Sequence, residues 1–442
     1  MTKPCLLITL WLPLFACTTL AAEKPNVLFL AVDDLRPELT AYGAEKMVTP
    51  NFDRLAQRGV RFDRAYCMVP TCGASRASLM TGLRPARDRF VTFDCRADED
   101  APGIVPLNAH FKNNGYTSLS LGKVFHSPAD NASGWSEPPV MPSGPKYFSE
   151  EALAKSVEDK RGRKRGPSWE NGGDVPDNIY IDGKIADEAI RTLERLASKP
   201  NQPFFFAVGF TKPHLPFVAP GRYFENYPES EITMPDNYFP PENAPESALH
   251  NYGELRSYSD IPARGSLPED KALELIRAYY AATSYTDANI GRILRAFDNL
   301  GLSENTIIVL WGDHGWNLGE HTLWCKHSCF ETSLRAPLIF ATPDSMKLSS
   351  GESTTSLTEF IDIYPTLCEL AGLELPDHLE GDSLLPVLRA PATAAKAHAI
   401  SRFKNGDTIR TERFRYSLYT DKDGATTGHM LYDHETDPGE NF

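Results

Sequence analysis

Pro25-Asn-Val-Leu-Phe-Leu-Ala-Val-Asp-Asp34 decides the fold class. A continuous apolar run without polar alternation is the pattern of a strand buried on both faces, as in a parallel sheet covered by helices. The run ends abruptly in two acids, and open α/β sheets hold ligands beyond the carboxyl ends of their strands. Adjacent carboxylates repel each other unless a cation lies between them, and hard divalent ions take oxygen ligands. Helix capping and turn initiation are the competing explanation for Asp33 and Asp34.

The same arrangement recurs along the chain. Tyr116 to Leu121 leads into Gly122-Lys-Val-Phe-His126, and Pro203 to Phe210 leads into Thr211-Lys-Pro-His214. Thr306 to Trp311 leads into Gly312-Asp-His-Gly315. Helical patterns alternate with these strands at Asn51 to Arg58, at Leu107 to Asn113 before Asn114-Gly115, and at Lys271 to Leu300. An α/β architecture follows, with chemically capable side chains delivered just past several strand ends. An ordinary capped strand end accounts for any one of these histidines, but poorly for the whole series.

Between the first and second of these strands lies Tyr66-Cys-Met-Val-Pro-Thr-Cys-Gly-Ala-Ser-Arg-Ala-Ser-Leu-Met-Thr-Gly82. A Pro/Gly-rich turn here runs into helix-forming residues and places Cys72 near a helix N-terminus. Unpaired N–H groups and the helix dipole favour negative charge at such a point. Arg76, one turn along, is expected to face the same pocket. A buried or disulfide-bonded thiol is the plainer reading of Cys72 taken alone. Of the eight cysteines, Cys5 and Cys17 lie near the N-terminus, which leaves six: Cys67, Cys72, Cys95, Cys325, Cys329 and Cys368. They have neither the density of a stapled small scaffold nor paired zinc spacing.

The chain of 442 residues exceeds the size at which single cores stop growing, so one large domain with a smaller appendage is expected. Its net charge of -14 argues against nucleic-acid binding, without excluding local basic pockets for anionic substrates. Residues 1–22 read as an export signal: Lys3, an apolar core from Leu6 to Phe15 broken by Pro13, then small residues up to Ala21-Ala22. The core is too short for a membrane span, and a periplasmic or secreted protein is expected. Leu14-Phe-Ala-Cys17 loosely matches a lipoprotein box, so anchoring through Cys17 is the alternative. Residues 23–390 form the expected main domain and 391–442 the appendage, with strands at His398 to Phe403, Thr408 to Leu418 and His429 to Asp433. Two long irregular stretches interrupt the pattern. Pro138 to Gly173 carries the basic run Asp159-Lys-Arg-Gly-Arg-Lys-Arg165, read as a solvated surface loop with a polyanion patch as the alternative. Tyr223 to Pro268 is too long for a simple connector and reads as a substrate-enclosing insertion.

Taken in order, these motifs resemble the formylglycine-dependent (type I) sulfatases, and within them the iduronate-2-sulfatase subgroup and its bacterial relatives. The resemblance rests on Val32-Asp-Asp-Leu-Arg-Pro37, Ser75-Arg-Ala-Ser-Leu-Met-Thr-Gly-Leu-Arg-Pro85, Gly122 to His126, Val208 to His214 and Asp313-His-Gly-Trp-Asn-Leu-Gly-Glu-His321. It covers nearly all of the chain after the leader. Lys123 and His126 are three apart, as in the iduronate-type subgroup, where the broad family commonly has a spacing of two.

The resemblance implies an alkaline-phosphatase-like fold: a large mixed, mostly parallel sheet flanked by helices, with a small C-terminal antiparallel sheet. It implies one calcium ion held by Asp33, Asp34, Asp313 and His314 beside Cys72, which is oxidised to formylglycine. One hydroxyl of the hydrated aldehyde attacks sulfur, and loss of the proton from the other expels sulfate. Arg76 and Lys123 would hold the hydrate, His126 would abstract the proton, and His214 and Lys326 would bind sulfate oxygens and protonate the departing alkoxide. Ala74 departs from the family's usual proline two residues after the cysteine, which points to an anaerobic-type maturation enzyme as partner. The implied substrate is a sulfated carbohydrate, such as a 2-O-sulfated uronic acid at the end of a glycosaminoglycan or similar chain. Trp316 is the candidate for packing on a sugar face and Arg410 for pairing with a carboxylate. A phosphate or phosphonate ester hydrolase on the same core, and a catalytically silent sulfated-glycan-binding protein with unmodified Cys72, are the competing functions.

Overall fold

The computed structural model describes residues 24–158 and 164–442. The leader with Cys17, and most of the basic run, lie outside the described residues. Seven strands make the central sheet: β1 Asn26–Val32, β2 Gly59–Phe62, β3 Thr117–Gly122, β4 Phe204–Phe210, β5 Thr306–Gly312, β6 Leu338–Ala341 and β7 Glu352–Thr354. Their spatial order is β7-β2-β6-β5-β1-β4-β3. β6 runs antiparallel to both neighbours and every other pairing is parallel.

The apolar run of β1 has no polar face because both faces are covered. Val27, Phe29 and Ala31 join one core layer with Leu79 and Met80 of α2 (Cys72–Thr81), Phe111 of α3 (Leu107–Asn113) and Leu367 of α6 (Ile363–Leu370). Leu28, Leu30 and Val32 join the opposite layer with Phe52 of α1 (Pro50–Gln57), Leu193 of α4 (Ile181–Ala197) and Ile290 of α5 (Glu269–Asn299). The period-two alternation of a strand thus feeds two helix layers.

The excursion from Tyr223 to Pro268 starts in the short helix Gly221–Phe224 and beyond it contains only short 3-10 turns. Its tyrosines 223, 252 and 258 are buried in a third cluster against Tyr279 and Tyr285 of α5, which anchors an otherwise irregular segment. The C-terminal sheet is β8 His398–Phe403, β9 Gly406–Thr411, β10 Phe414–Thr420 and β11 Thr426–Asp433, antiparallel in sequential order. The single strand expected over Thr408 to Leu418 is therefore a hairpin, turning at Glu412-Arg413, where Arg410 pairs with Arg415. No helix among the described residues is long and apolar enough to cross a membrane.

α1 is capped from another helix. The Asp287 carboxyl of α5 accepts the N–H groups of Asn51 at 3.0 Å and Phe52 at 2.8 Å and the Asn51 side chain at 2.7 Å. Removing it leaves first-turn donors buried without a partner, so Asp287→Ala is expected to cost about 1–3 kcal/mol in chemical denaturation. Burial pushes this carboxyl up to about 7, against the pull of its N–H donors. The folded protein thus holds the proton more tightly than the unfolded chain, where the group titrates near 4. Its contribution to stability is full below about pH 4 and is lost as pH rises to about 7. Asp287→Asn keeps an acceptor and removes this pH dependence, which stability curves at pH 4 and 8 would display.

Candidate active site

Strand register brings the expected residues together. Val32 lies beside Gly312 of β5 and Phe210 of β4, and Gly122 lies beside Gly209, so four neighbouring strands end at one edge of the sheet. Asp34 turns there with φ of 59°, and its N–H donates to Asp313 Oδ1 at 3.0 Å. Gly122 has φ of +73°, and a Cβ on it would meet the Gly209 carbonyl oxygen at 2.1 Å. Only glycine allows this close approach, which turns Lys123 toward Asp33 Oδ2, 2.5 Å from its Nζ.

α2 begins at Cys72 without a side-chain cap. A Cβ on Gly73 would lie 2.1 Å from the Phe93 carbonyl oxygen, so residues 93–95 lie directly against the first helical turn. Cys72 Sγ is 3.4 Å from His314 Nε2 and 3.9 Å from Asp34 Oδ1. The His314 ring is held by Nδ1 against the Gly315 carbonyl at 2.8 Å, which aims Nε2 at Asp34 Oδ1, 3.3 Å away, and Asp313 Oδ1, 3.6 Å away.

Three carboxylates are buried here, and cations answer them. Arg76 Nε donates to Asp313 Oδ2 at 3.0 Å, its Nη2 to Asp33 Oδ1 at 3.2 Å, and its Nη1 to the carbonyls of Lys123 and Val124. The guanidinium is fully buried and occupied by the protein itself, so it positions the carboxylates and is not free to hold a ligand. Lys326 Nζ lies 3.0 Å from Asp34 Oδ1 and 2.8 Å from Glu254 Oε2, and 4.9 Å over the Trp316 ring. Burial raises the Asp33 carboxyl, but Lys123, His214 and Arg76 outweigh it and hold the group well below its usual range. Burial keeps Asp313 above its usual range, and Asp33 adds to this against His314 and Arg76.

A cavity of ≈ 310 Å³ opens on this cluster, lined by Cys72, His126, His214 and Lys326. Burial lowers His126 to about 4, with Lys123 adding, so its imidazole is neutral at pH 7, and its buried Nδ1 has no hydrogen-bond partner. His214 donates through its Nδ1–H to the Leu215 carbonyl, 2.6 Å away, and its Nε2 is 2.9 Å from Glu254 Oε1. Burial pushes the Cys72 thiol well above its usual range, Asp33 adds to this, and Lys123 and Lys326 only partly oppose it. The unmodified residue is thus a protonated thiol at neutral pH.

Ligand atoms from Asp33, Asp34, Cys72 and His214 lie within 4.8 Å of one another, as do those of Cys72, Asp313 and His314. Carboxylate oxygens with one imidazole, and a carboxyl destabilised by burial and by its neighbour, fit a hard divalent cation.

The expectation that Arg76 holds the hydrate is corrected, because its guanidinium is fully engaged by the protein, and two others are corrected with it. Trp316 is 1% exposed and packs beneath Lys326 and against Phe217, so it has no face for a sugar. The exposed aromatic at the cavity is Phe93, its ring 5.7 Å from that of His126. Arg410 does not line this cavity. It is buried in the C-terminal sheet, 3.6 Å from Glu331, and lines a separate cleft. Glu254, His327 and Arg165 line the cavity and were not singled out from sequence. Glu254 and Arg165 fall in irregular stretches, where periodicity carries no signal.

A family model described as Sulfatase matches residues 25–373, and one for the C-terminal part of N-sulphoglucosamine sulphohydrolase matches residues 319–441. This chain belongs to the sulfatase family. It is 34% identical over 392 residues to an iduronate 2-sulfatase of Mus musculus, covering 80% of this chain and 70% of the relative. A sulfatase of Formosa agariphila is 35% identical over 439 residues, covering 95% and 82%. In fold, this sulfatase is similar to a phosphonate monoester hydrolase of Agrobacterium radiobacter, with TM-score 0.75, 24% identity and coverage of 95% and 91%. It also resembles a structure solved with its substrate D-glucosamine-2-N,6-O-disulfate, with TM-score 0.73, 22% identity and coverage of 94% and 92%. The sulfatase is thus a sulfuric ester hydrolase by family, on an alkaline-phosphatase-like fold.

The role of Arg76 is directly testable. Arg76→Ala leaves buried Asp313 without its guanidinium and Asp33 with Lys123 alone, so stability of the chelator-treated protein should fall by roughly 3–5 kcal/mol. Urea denaturation measures this; a loss under 1 kcal/mol would show that Asp33 and Asp313 do not depend on the guanidinium.

Proposed function

We propose that this sulfatase is exported and hydrolyses a sulfate ester on a carbohydrate, with a formylglycine made from Cys72 and a calcium ion held by Asp33, Asp34, Asp313 and His314. The convergence of these five residues at one helix N-terminus, with His214 and Lys326 facing the same cavity, carries the reading. A protonated, buried thiol is a poor nucleophile, so this position needs altered chemistry to attack sulfur. The hydrated aldehyde supplies a pair of hydroxyls on one carbon, and the cation supplies positive charge beside them.

The remaining steps fall to the protein's own groups. Lys326 donates to a sulfate oxygen. His214, steered by Glu254 and the Leu215 carbonyl, binds the ester and protonates the departing alkoxide. Neutral His126 accepts the proton whose loss releases sulfate. Lys123 fixes Asp33, and Arg76 holds the carboxylates in place. Ala74 occupies the third position of α2, in the first turn where proline is also tolerated, so the fold does not demand alanine. The substrate is a sulfated sugar residue at a chain end, such as a 2-O-sulfated uronic acid. The names of the iduronate 2-sulfatase relatives and the small cavity support this.

Mass spectrometry of the Cys72 peptide from the native host should find formylglycine. Cys72→Ala should lose all turnover of sulfate esters, and Asp313→Ala should lose bound calcium in elemental analysis while remaining folded. Intact thiol in a protein active on sulfate esters, or full calcium in Asp313→Ala, would overturn the reading. A phosphate or phosphonate ester hydrolase is the second reading, favoured by the similarity in fold to phosphonate monoester hydrolases.

A further inference from the structure

The basic run ends at Arg165, and its last residue does not point into solvent. Lys164–Arg165 pairs in antiparallel fashion with Val157–Glu158, and the Arg165 guanidinium lies over the ring of Tyr258, 5.4 Å from its centroid. Tyr258 is 4% exposed, so this support is fixed in the core of the excursion. Arg165 lines the cavity that holds Cys72, His214 and Lys326. Together with His214 it also lines a neighbouring cavity of ≈ 290 Å³ walled by Tyr180, Pro216 and Tyr258.

Among the described residues, the charges around the first cavity are matched except here. Lys326 is shared by Asp34 and Glu254, and Glu254 is further matched by His214. Among the described residues no carboxylate is ion-paired with Arg165, and its buried Nε has no hydrogen-bond partner. A guanidinium fixed on an aromatic face, with a donor still to be satisfied, is suited to bidentate recognition of a planar or tetrahedral oxyanion.

We propose that Arg165 is a specificity-determining residue that binds a second anionic group of the substrate, a carboxylate or a further sulfate on the sugar, while the scissile sulfate sits at Cys72. This rests on the sulfate-ester reading above and narrows its substrate to doubly anionic sugars. Arg165 takes the part that the sequence had suggested for Arg410, and it does so from inside the cavity.

The test uses full-length protein with confirmed conversion of Cys72, and three sulfate esters: 4-nitrophenyl sulfate, a monosulfated neutral hexose, and a sulfated uronic acid. Disulfated glucosamine forms a fourth arm that separates carboxylate from sulfate recognition. Arg165→Ala should raise KM on the doubly anionic sugars by about ten- to a hundredfold, change kcat little, and leave 4-nitrophenyl sulfate and the neutral hexose unaffected. Arg165→Lys should restore part of the loss. Calorimetric binding of the sulfated uronic acid to Cys72→Ala, with and without Arg165→Ala, gives the same comparison without turnover. Equal losses on all esters, or unchanged KM and unchanged affinity for the doubly anionic sugars, would overturn the proposal. If converted protein hydrolyses no sulfate ester, yet binding still falls with Arg165→Ala, the enzyme reading fails and the anionic-sugar site stands.

Discussion

Arg76 is the tie on which the site depends. Parallel pairing of β1 with β5 sets Val32 beside Gly312, so the acids that follow each strand emerge next to each other at the sheet edge. Three carboxylates out of water in one place are unstable without opposite charge, and a cation that is part of α2 supplies it to Asp33 and Asp313 in a fixed geometry, while Lys326 answers Asp34. The same helix starts with Cys72. One guanidinium with two ionic contacts therefore sets the distance between the strand-end acids and the helix N-terminus, and the approach of residues 93–95 over Gly73 closes the arrangement from outside.

Around this tie, the irregular segments convert a charged cluster into a pocket. The excursion between Tyr223 and Pro268 is held by buried tyrosines, which lets an otherwise structureless length of chain place Glu254 against both His214 and Lys326. A carboxylate in a site for an anionic ester is costly unless matched, and here burial is overcome by Lys326 and His214, which hold Glu254 well below its usual range. The consequence is a pair of donors oriented before substrate arrives, the form of preorganisation that favours charge developing in a transition state.

Much of this was legible in the sequence because it follows from period and position. Apolar runs without alternation identified β1, β4 and β5, and what followed each run was polar. The helix from Leu107 to Asn113 and the strand from His398 to Phe403 fell where pattern and turn residues put them. The hairpin within Thr408 to Leu418 was missed because it turns at Glu412-Arg413, which carries none of the Gly, Asn, Asp or Pro that mark tight turns. Trp316 was misread because adjacency to Asp313 and His314 in sequence says nothing about which way a ring faces. Arg410 was misread because a charged residue on a strand was taken as free, whereas Glu331 lies against it. Arg165 and Glu254 reach the cavity through long-range packing on Tyr258 and Lys326, which no local pattern encodes.

The central claim is that these strand-end acids and Cys72 form a cation-dependent centre for sulfate esters. The most direct measurement compares hydrolysis of 4-nitrophenyl sulfate and 4-nitrophenyl phosphate by the converted protein, before chelation, after it, and after calcium is restored. The account predicts that the sulfate ester is the better substrate, that chelation removes its hydrolysis, and that calcium returns it. Faster turnover of the phosphate ester, or sulfate hydrolysis indifferent to chelation, would contradict it.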